Sequence, residues 1–234
     1  MIDFTAKHAE VTARLRAAER VSGRAEGSVQ LLAVGKTHPA ESVRALALVG
    51  QRCFGENYVQ EAQEKIPMLA DLDLAWHFIG PIQSNKTRPI ATLFQWVHSV
   101  DRWKVAQRLS EQRPVELGVL NICLEVNISG EAAKSGVMPM NLWPLAEAVA
   151  RLPNLRLRGL MTIPAPLAEG ADESSARAPF RALRALFEDL RRRGIEMDSL
   201  SMGMSDDLEA AVAEGATMVR VGTALFGSRN PKIL

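Results

Sequence analysis

Cysteine is scarce in this chain, with two residues in 234, Cys53 and Cys123, and neither stands in a CxxC pair or at Cys/His spacing. A disulfide framework and the common structural zinc patterns are thereby excluded, and both cysteines read as buried free thiols in a reducing cytoplasm. A charge excess is missing too: 28 Lys and Arg face 27 Asp and Glu, a net charge of +1. No overall field draws nucleic acid, an acidic partner or a membrane surface, so any bound anion needs a local site. The run Arg191-Arg192-Arg193 closes a predicted helix just before Gly194. Cations there offset the negative helix end, a plainer role than an RNA patch. Residues 1–21 mix acids and bases with no apolar stretch, unlike a signal peptide or membrane span. No GxGxxG follows the first apolar run, which weakens a dinucleotide-binding open sheet.

What is present is alternation. Short apolar runs at 29–36, 51–56, 74–80, 94–100, 118–127, 155–162, 198–205 and 217–227 alternate with helical patterns, after an amphipathic opening helix at roughly 3–22. Pro39 fits a helix start and Asp101 is placed to cap the helix that follows it. The segment 163–179, rich in Pro, Ala and Ser, reads as the longest loop, ahead of a helix at 178–193. The run 118–127 is nearly all apolar, as in a parallel strand covered on both faces. Eight βα units without a second composition class predict one domain over residues 1–234, a closed (β/α)₈ barrel.

In such a barrel the site lies at the carboxyl ends of the strands. Lys36 ends the run LLAVG, where a partly desolvated amine could attack an aldehyde; a lysine snorkelling from a strand end is the alternative. After the last two strands, Ser201, Gly203-Met204-Ser205 and Gly222-Thr223 offer small residues, hydroxyls and backbone N–H groups suited to phosphate, although Ser205 or Asp206 could simply cap a helix. Arg220, on a buried run, needs an acceptor: either Glu125 or the ring nitrogen of a bound heterocycle, which it would leave unprotonated. His77 and His98 lack carboxylate or cysteine partners at ligand spacing and read as core histidines; Met202 and Met204 read as gap fillers.

The segments AVGKT, FGENYVQE, WHFIGPIQSNK, ISGEAAKSG, GLMTIPA and LSMGMSDDLEAAVAEGATMVRVGTALFG together resemble the pyridoxal phosphate homeostasis protein family, also described as proline synthetase co-transcribed homologues and related to the N-terminal barrel of alanine racemase. The resemblance spans about residues 25–228. It implies a pyridoxal 5′-phosphate (PLP) barrel of fold type III with an extra N-terminal helix and no C-terminal β-domain. Lys36 would be the Schiff-base lysine, Ser205, Gly222 and Thr223 would hold the phosphate, Arg220 would face the pyridine nitrogen, and Asn57 and Met202 would line the pocket. Lys134 resembles a second, mobile family lysine that helps pass the cofactor on; a solvated loop lysine is the alternative. The family is associated with vitamin B6, amino-acid and keto-acid balance, without firm catalytic turnover, and implies a monomer that hands PLP to apo-enzymes.

The residues agree with a binding role, because two-base racemisation needs a second acid/base group facing the lysine; alanine racemases supply a tyrosine from an extra C-terminal domain, and the sole tyrosine here, Tyr58, opens a helix. A weak racemase, with Lys36 as base and His77 or water as partner, is the runner-up, and a class I aldolase a distant third. The ending GSRNPKIL lacks the aromatic close expected of many relatives.

Overall fold

The computed structural model describes residues 2–131, 134–166, 170 and 172–227. Asp3 caps the opening helix α1 (Phe4–Val21) by accepting from the Ala6 N–H at 2.9 Å. Val11, Leu15 and Ala18, spaced by four and three, turn one face of α1 inward. Buried Glu19 ends that face and accepts from Arg16 at 2.6 Å and from the backbone N–H groups of Gly27 and Val29 at 3.0 and 2.7 Å. Burial pushes this carboxyl up, but Arg16 and the two N–H groups hold it below the ordinary value. One carboxylate thus ties α1 to the start of the sheet.

The units that follow are β1 (Gln30–Val34) with α2 (Ala40–Leu48), β2 (Cys53–Glu56) with α3 (Val59–Lys65), β3 (Ala75–Phe78) with α4 (Thr87–Leu93), and β4 (Trp96–Val100) with α5 (Trp103–Gln112). Then come β5 (Leu120–Glu125) with α6 (Pro139–Val149), β6 (Leu155–Met161) with α7 (Glu173–Arg192), β7 (Ser199–Ser201) with α8 (Leu208–Ala213), and β8 (Met218–Val221) with α9 (Thr223–Phe226). All neighbouring strands pair in parallel and β1 also pairs with β8, closing the barrel. Strand side chains alternate between two layers. Leu31 and Ala33 pack outward under the helices, while Leu32 and Val34 meet Ile79 inside.

Every expected strand is present but shorter: β2 and β4 lose residues only at the amino end, while the other six stop short of their expected carboxyl ends, where the chain leaves the sheet to form the barrel mouth. β1 stops at Val34, so Lys36 lies in the turn beyond it, and β8 stops at Val221, so Gly222 and Thr223 open a helical turn. The expected long loop is also shorter. Asp172 caps α7 by accepting from the Ser175 N–H at 2.8 Å, and Pro179 lies inside that helix, tolerated because Phe180, Leu183, Phe187 and Leu190 bury a continuous face. Asp101 does not cap α5; it pairs with Arg102, which occupies the cap position. The ending GSRNPKIL lies outside the described residues from position 228. No helix among the described residues is long and apolar enough to cross a membrane.

Candidate functional site

β1 stands between β2 and β8, with Val34 opposite Gly55 on one side and Leu32 opposite Arg220 on the other. The turn that carries half-buried Lys36 therefore opens between Asn57, just past β2, and Gly222-Thr223, just past β8. The Asn57 side-chain oxygen is buried with no hydrogen-bond partner among the described residues. Its backbone position depends on Gly80, where a Cβ would lie 2.1 Å from the Asn57 carbonyl oxygen. No larger residue could stand beside it.

Opposite, the loop between β7 and α8 turns at Gly203, whose φ of +92° and close approach to Ala211 require glycine. The Met204 N–H donates to Asp207 Oδ1 at 2.5 Å, and Arg14 of α1 donates to the Ser205 carbonyl at 2.7 Å. Neither Ser205 nor Asp206 caps α8; Asp207 occupies that position. The hydroxyls of Ser205 and Thr223 make no hydrogen bond to another described residue. The Arg220 N–H donates to the Gly203 carbonyl at 2.9 Å, which brings the two loops together.

Two expectations are corrected here. Ser201 is not free for an anion: its Oγ accepts from Arg220 Nη1 at 2.8 Å and contacts His98 Nδ1 at 2.7 Å. Met202 does not line the mouth; it is fully buried in the layer between sheet and helices, because Ser201 takes the inward position on β7.

Arg220 is buried, and its acceptors are neither Glu125 nor another carboxylate. Nη1 donates to the Ser201 carbonyl at 2.7 Å as well as to its hydroxyl, and Nη2 donates to the Thr162 carbonyl at 2.8 Å. Burial brings its pKa down to about 10, with Asp207 and Glu125 opposing. His98 continues the chain to His77, Nε2 to Nδ1 at 2.9 Å. Burial depresses both imidazoles, His77 to about 3, so neither carries a proton charge at neutral pH. His77 is thereby removed as the acid partner of Lys36. Among the described residues no grouping of His, Cys, Asp and Glu could hold a metal ion. Cys123 inside the barrel is pushed up to about 12 by burial, inert as expected, whereas Cys53 is only half-buried.

A cavity of about 200 Å³ at the mouth is lined by Asn57, Ile79, Pro81, Glu125, Lys134, Ser135 and Ile163. Glu125 is nearly buried; desolvation and the nearby Asp101 charge push its carboxyl up to about 7, against Arg220. Its place at the end of β5 was visible in the sequence, but not its role, since nothing local shows that Arg220 is satisfied elsewhere. Lys134 is not a freely solvated loop lysine. It lies 3.2 Å from Glu131 and reaches this cavity, while Ala132 and Ala133 of its loop lie outside the described residues. Tyr58 is half exposed at the cap of α3.

An eight-stranded parallel barrel with an extra opening helix and a lysine beyond its first strand defines a class, the alanine racemase N-terminal barrels, and the family model of that domain matches residues 10–230. The chain is 63% identical over 222 residues to the pyridoxal phosphate homeostasis protein of Pseudomonas aeruginosa, covering 95% of this chain and 94% of that one. Identity to the protein of the same name from Escherichia coli K12 is 48%, covering 98% of each. PipY of Synechococcus elongatus PCC7942, solved with PLP bound, superposes with a TM-score of 0.79 at 41% identity, covering 92% of this chain and all of that one. An alanine racemase of Clostridium difficile 630 shares the fold alone: 14% identity, a TM-score of 0.74, and 57% of its length covered. The chain belongs to the pyridoxal phosphate homeostasis protein family.

Proposed function

We propose that this chain binds PLP at the barrel mouth and holds it in reserve, as a carrier or buffer of the cofactor. The observation that carries the reading is the register that sets the turn of Lys36 between Asn57, whose side-chain oxygen has no partner among the described residues, and Gly222-Thr223, whose strand is joined in turn to the loop of Ser205. A buried acceptor without a donor and two free hydroxyls beside a glycine-shaped loop fit a small polar anion with an aldehyde. Lys36 would take the aldehyde carbon, Ser205, Gly222 and Thr223 the phosphate, and Asn57 a ring substituent. Arg220, immobilised by Ser201 and Thr162, would stand at the ring nitrogen as a permanent donor. When bound, the group supplies electron withdrawal from carbon attached to its aldehyde. An arginine at the ring nitrogen weakens that sink, which suits storage better than turnover.

Residues 1–234 then act as one PLP-binding unit, in the cytoplasm, as a monomer that passes the cofactor to apo-enzymes. Support for that is the family to which the chain belongs. The test is borohydride reduction of the PLP-treated protein followed by peptide mapping. A pyridoxyl adduct on Lys36, absent from Lys36→Ala, is expected; a protein that cannot be loaded refutes the reading. Transfer to an apo-enzyme no faster than from free cofactor would remove the delivery role.

One observation favours a second reading, weak acid–base catalysis: Glu125 has a carboxyl near neutral pKa in the same mouth. Exchange of the α-hydrogen of L-alanine in deuterated water, lost in Glu125→Gln, would support it, and no exchange rejects it.

A further inference from the structure

Lys36 sits in a turn whose two flanking peptide groups are both held by a single helix. On one side the Lys65 ammonium donates to the Gly35 carbonyl at 2.9 Å; on the other the Thr37 N–H donates to Glu61 Oε2 at 2.7 Å. Glu61 and Lys65 are four residues apart on α3, so one helical face presents both. Lys65 is in turn anchored by Glu56 Oε1 at 2.5 Å, in a pair that is buried at both ends. A Cβ at Gly35 would meet that same Glu56 oxygen at 3.1 Å, so the pair lies directly beneath the turn.

Two features distinguish this arrangement from ordinary packing of a helix on a sheet. First, the Lys65–Glu56 pair is a poor choice for stability alone, because desolvating two charges cancels most of their attraction, and Glu56 Oε2 has no hydrogen-bond partner among the described residues. What the pair does secure is a fixed ammonium under the Gly35 carbonyl. Second, Thr37 has a φ of 65°, a left-handed conformation that a β-branched residue avoids. Such a residue persists only where its surroundings over-determine it, and the bond to Glu61 is one such constraint.

We infer that Glu61 and Lys65 are positioning residues that grip the peptide groups before and after Lys36 and so set the direction in which its amine leaves the turn. The inference rests on the reading of Lys36 as the residue that takes the aldehyde. With both peptide groups fixed, the backbone on either side of Lys36 needs no ordering when a carbonyl arrives, which raises the fraction of encounters in attacking geometry. The anion subsite of Ser205 and Thr223 belongs to other strands and is untouched by this grip.

The experiment uses the full chain with Glu61→Ala, Glu61→Gln and Lys65→Met. Without cofactor, amide hydrogen exchange at Thr37 should be about tenfold faster in Glu61→Ala, the loss of one charge-assisted hydrogen bond, and less so in Glu61→Gln, whose amide oxygen still accepts. Titrations then compare PLP with pyridoxine 5′-phosphate, which has the same ring and phosphate but no aldehyde. Glu61→Ala and Lys65→Met should weaken PLP about tenfold and leave pyridoxine 5′-phosphate within about twofold, with Glu61→Gln largely restored. Should Lys65→Met unfold, Glu56→Gln combined with Lys65→Met removes the stranded carboxylate and takes its place. Unchanged exchange at Thr37, or equal weakening of both ligands, overturns the inference. A wild-type protein that gives no adduct on Lys36 refutes the cofactor reading instead, and the Thr37 exchange still decides the grip.

Discussion

His77 and His98 share one hydrogen bond, Nδ1 to Nε2 at 2.9 Å, inside the barrel. The proton positions along this chain follow from its far end. Arg220 can only donate, so Ser201 Oγ accepts from it and gives its own proton to His98 Nδ1. A neutral His98 then carries its proton on Nε2 and donates to His77 Nδ1, which leaves the proton of His77 on Nε2, without a partner. Both rings should show the Nε2–H tautomer in nitrogen NMR and remain neutral from pH 8 to pH 5, because burial depresses both. A ring titrating near 6.5 would contradict this arrangement.

Ser201 is the joint of that chain. Ser201→Ala leaves His98 Nδ1 with no donor and removes one of the Arg220 acceptors, so unfolding free energy should fall by about 1–3 kcal/mol, read by urea denaturation. A loss under about half a kcal/mol would mean that water replaces the hydroxyl.

Glu125 predicts a pH dependence with a definite sign. Its folded carboxyl lies at about 7 against an ordinary 4.5, so the folded state holds a proton that the unfolded state has released. The associated stability is present in full below 4.5 and is lost as pH rises through 7. Glu125→Gln lacks this dependence. The stability difference between wild type and variant should therefore shift in favour of wild type by up to ~3 kcal/mol between pH 8 and pH 4.5. Parallel urea profiles for the two proteins would sink the assignment.

Gly80 and Gly222 should separate fold from site. A Cβ at Gly80 collides with the Asn57 carbonyl, so Gly80→Ala should cost roughly 2 kcal/mol or more and disturb Asn57. At Gly222 the nearest atom to a Cβ is the Val34 oxygen at 3.5 Å, ordinary contact. Gly222→Ala should keep its melting temperature within a few degrees and yet bind PLP more weakly, if the backbone there approaches the phosphate. Equal melting temperatures for the two variants would show that the Gly80 contact relaxes freely.

Legibility in the sequence followed locality. The eight strands, the opening helix and its Asp3 end, and the role of Arg191–Arg193 before Gly194 depend on periodicity or on neighbours within one turn, and these are present in the chain itself. The helix start at Asp172 was less legible, because an internal proline, Pro179, reads as a breaker until the apolar face that outweighs it is seen buried. Of the proposed site, Lys36, Ser205, Gly222 and Thr223 could be picked out because each follows a strand and strand ends converge in a barrel, whereas the role of Asn57 came with the family resemblance.

What the sequence determined by itself is therefore the repeat, the barrel it implies, and which residues stand at its mouth, since hydrophobic period and turn chemistry are properties of adjacent residues. What only the tertiary structure decided is how buried polar groups are satisfied: Arg220 by Ser201 and Thr162, His98 by His77, and the Lys36 turn by Glu61 and Lys65. Those partners lie up to 58 residues apart, as Arg220 and Thr162 do, and His98 lies 103 residues from Ser201. A hydrogen bond depends on position in space, and for strands that meet only when the sheet closes, that position does not exist until the chain has folded.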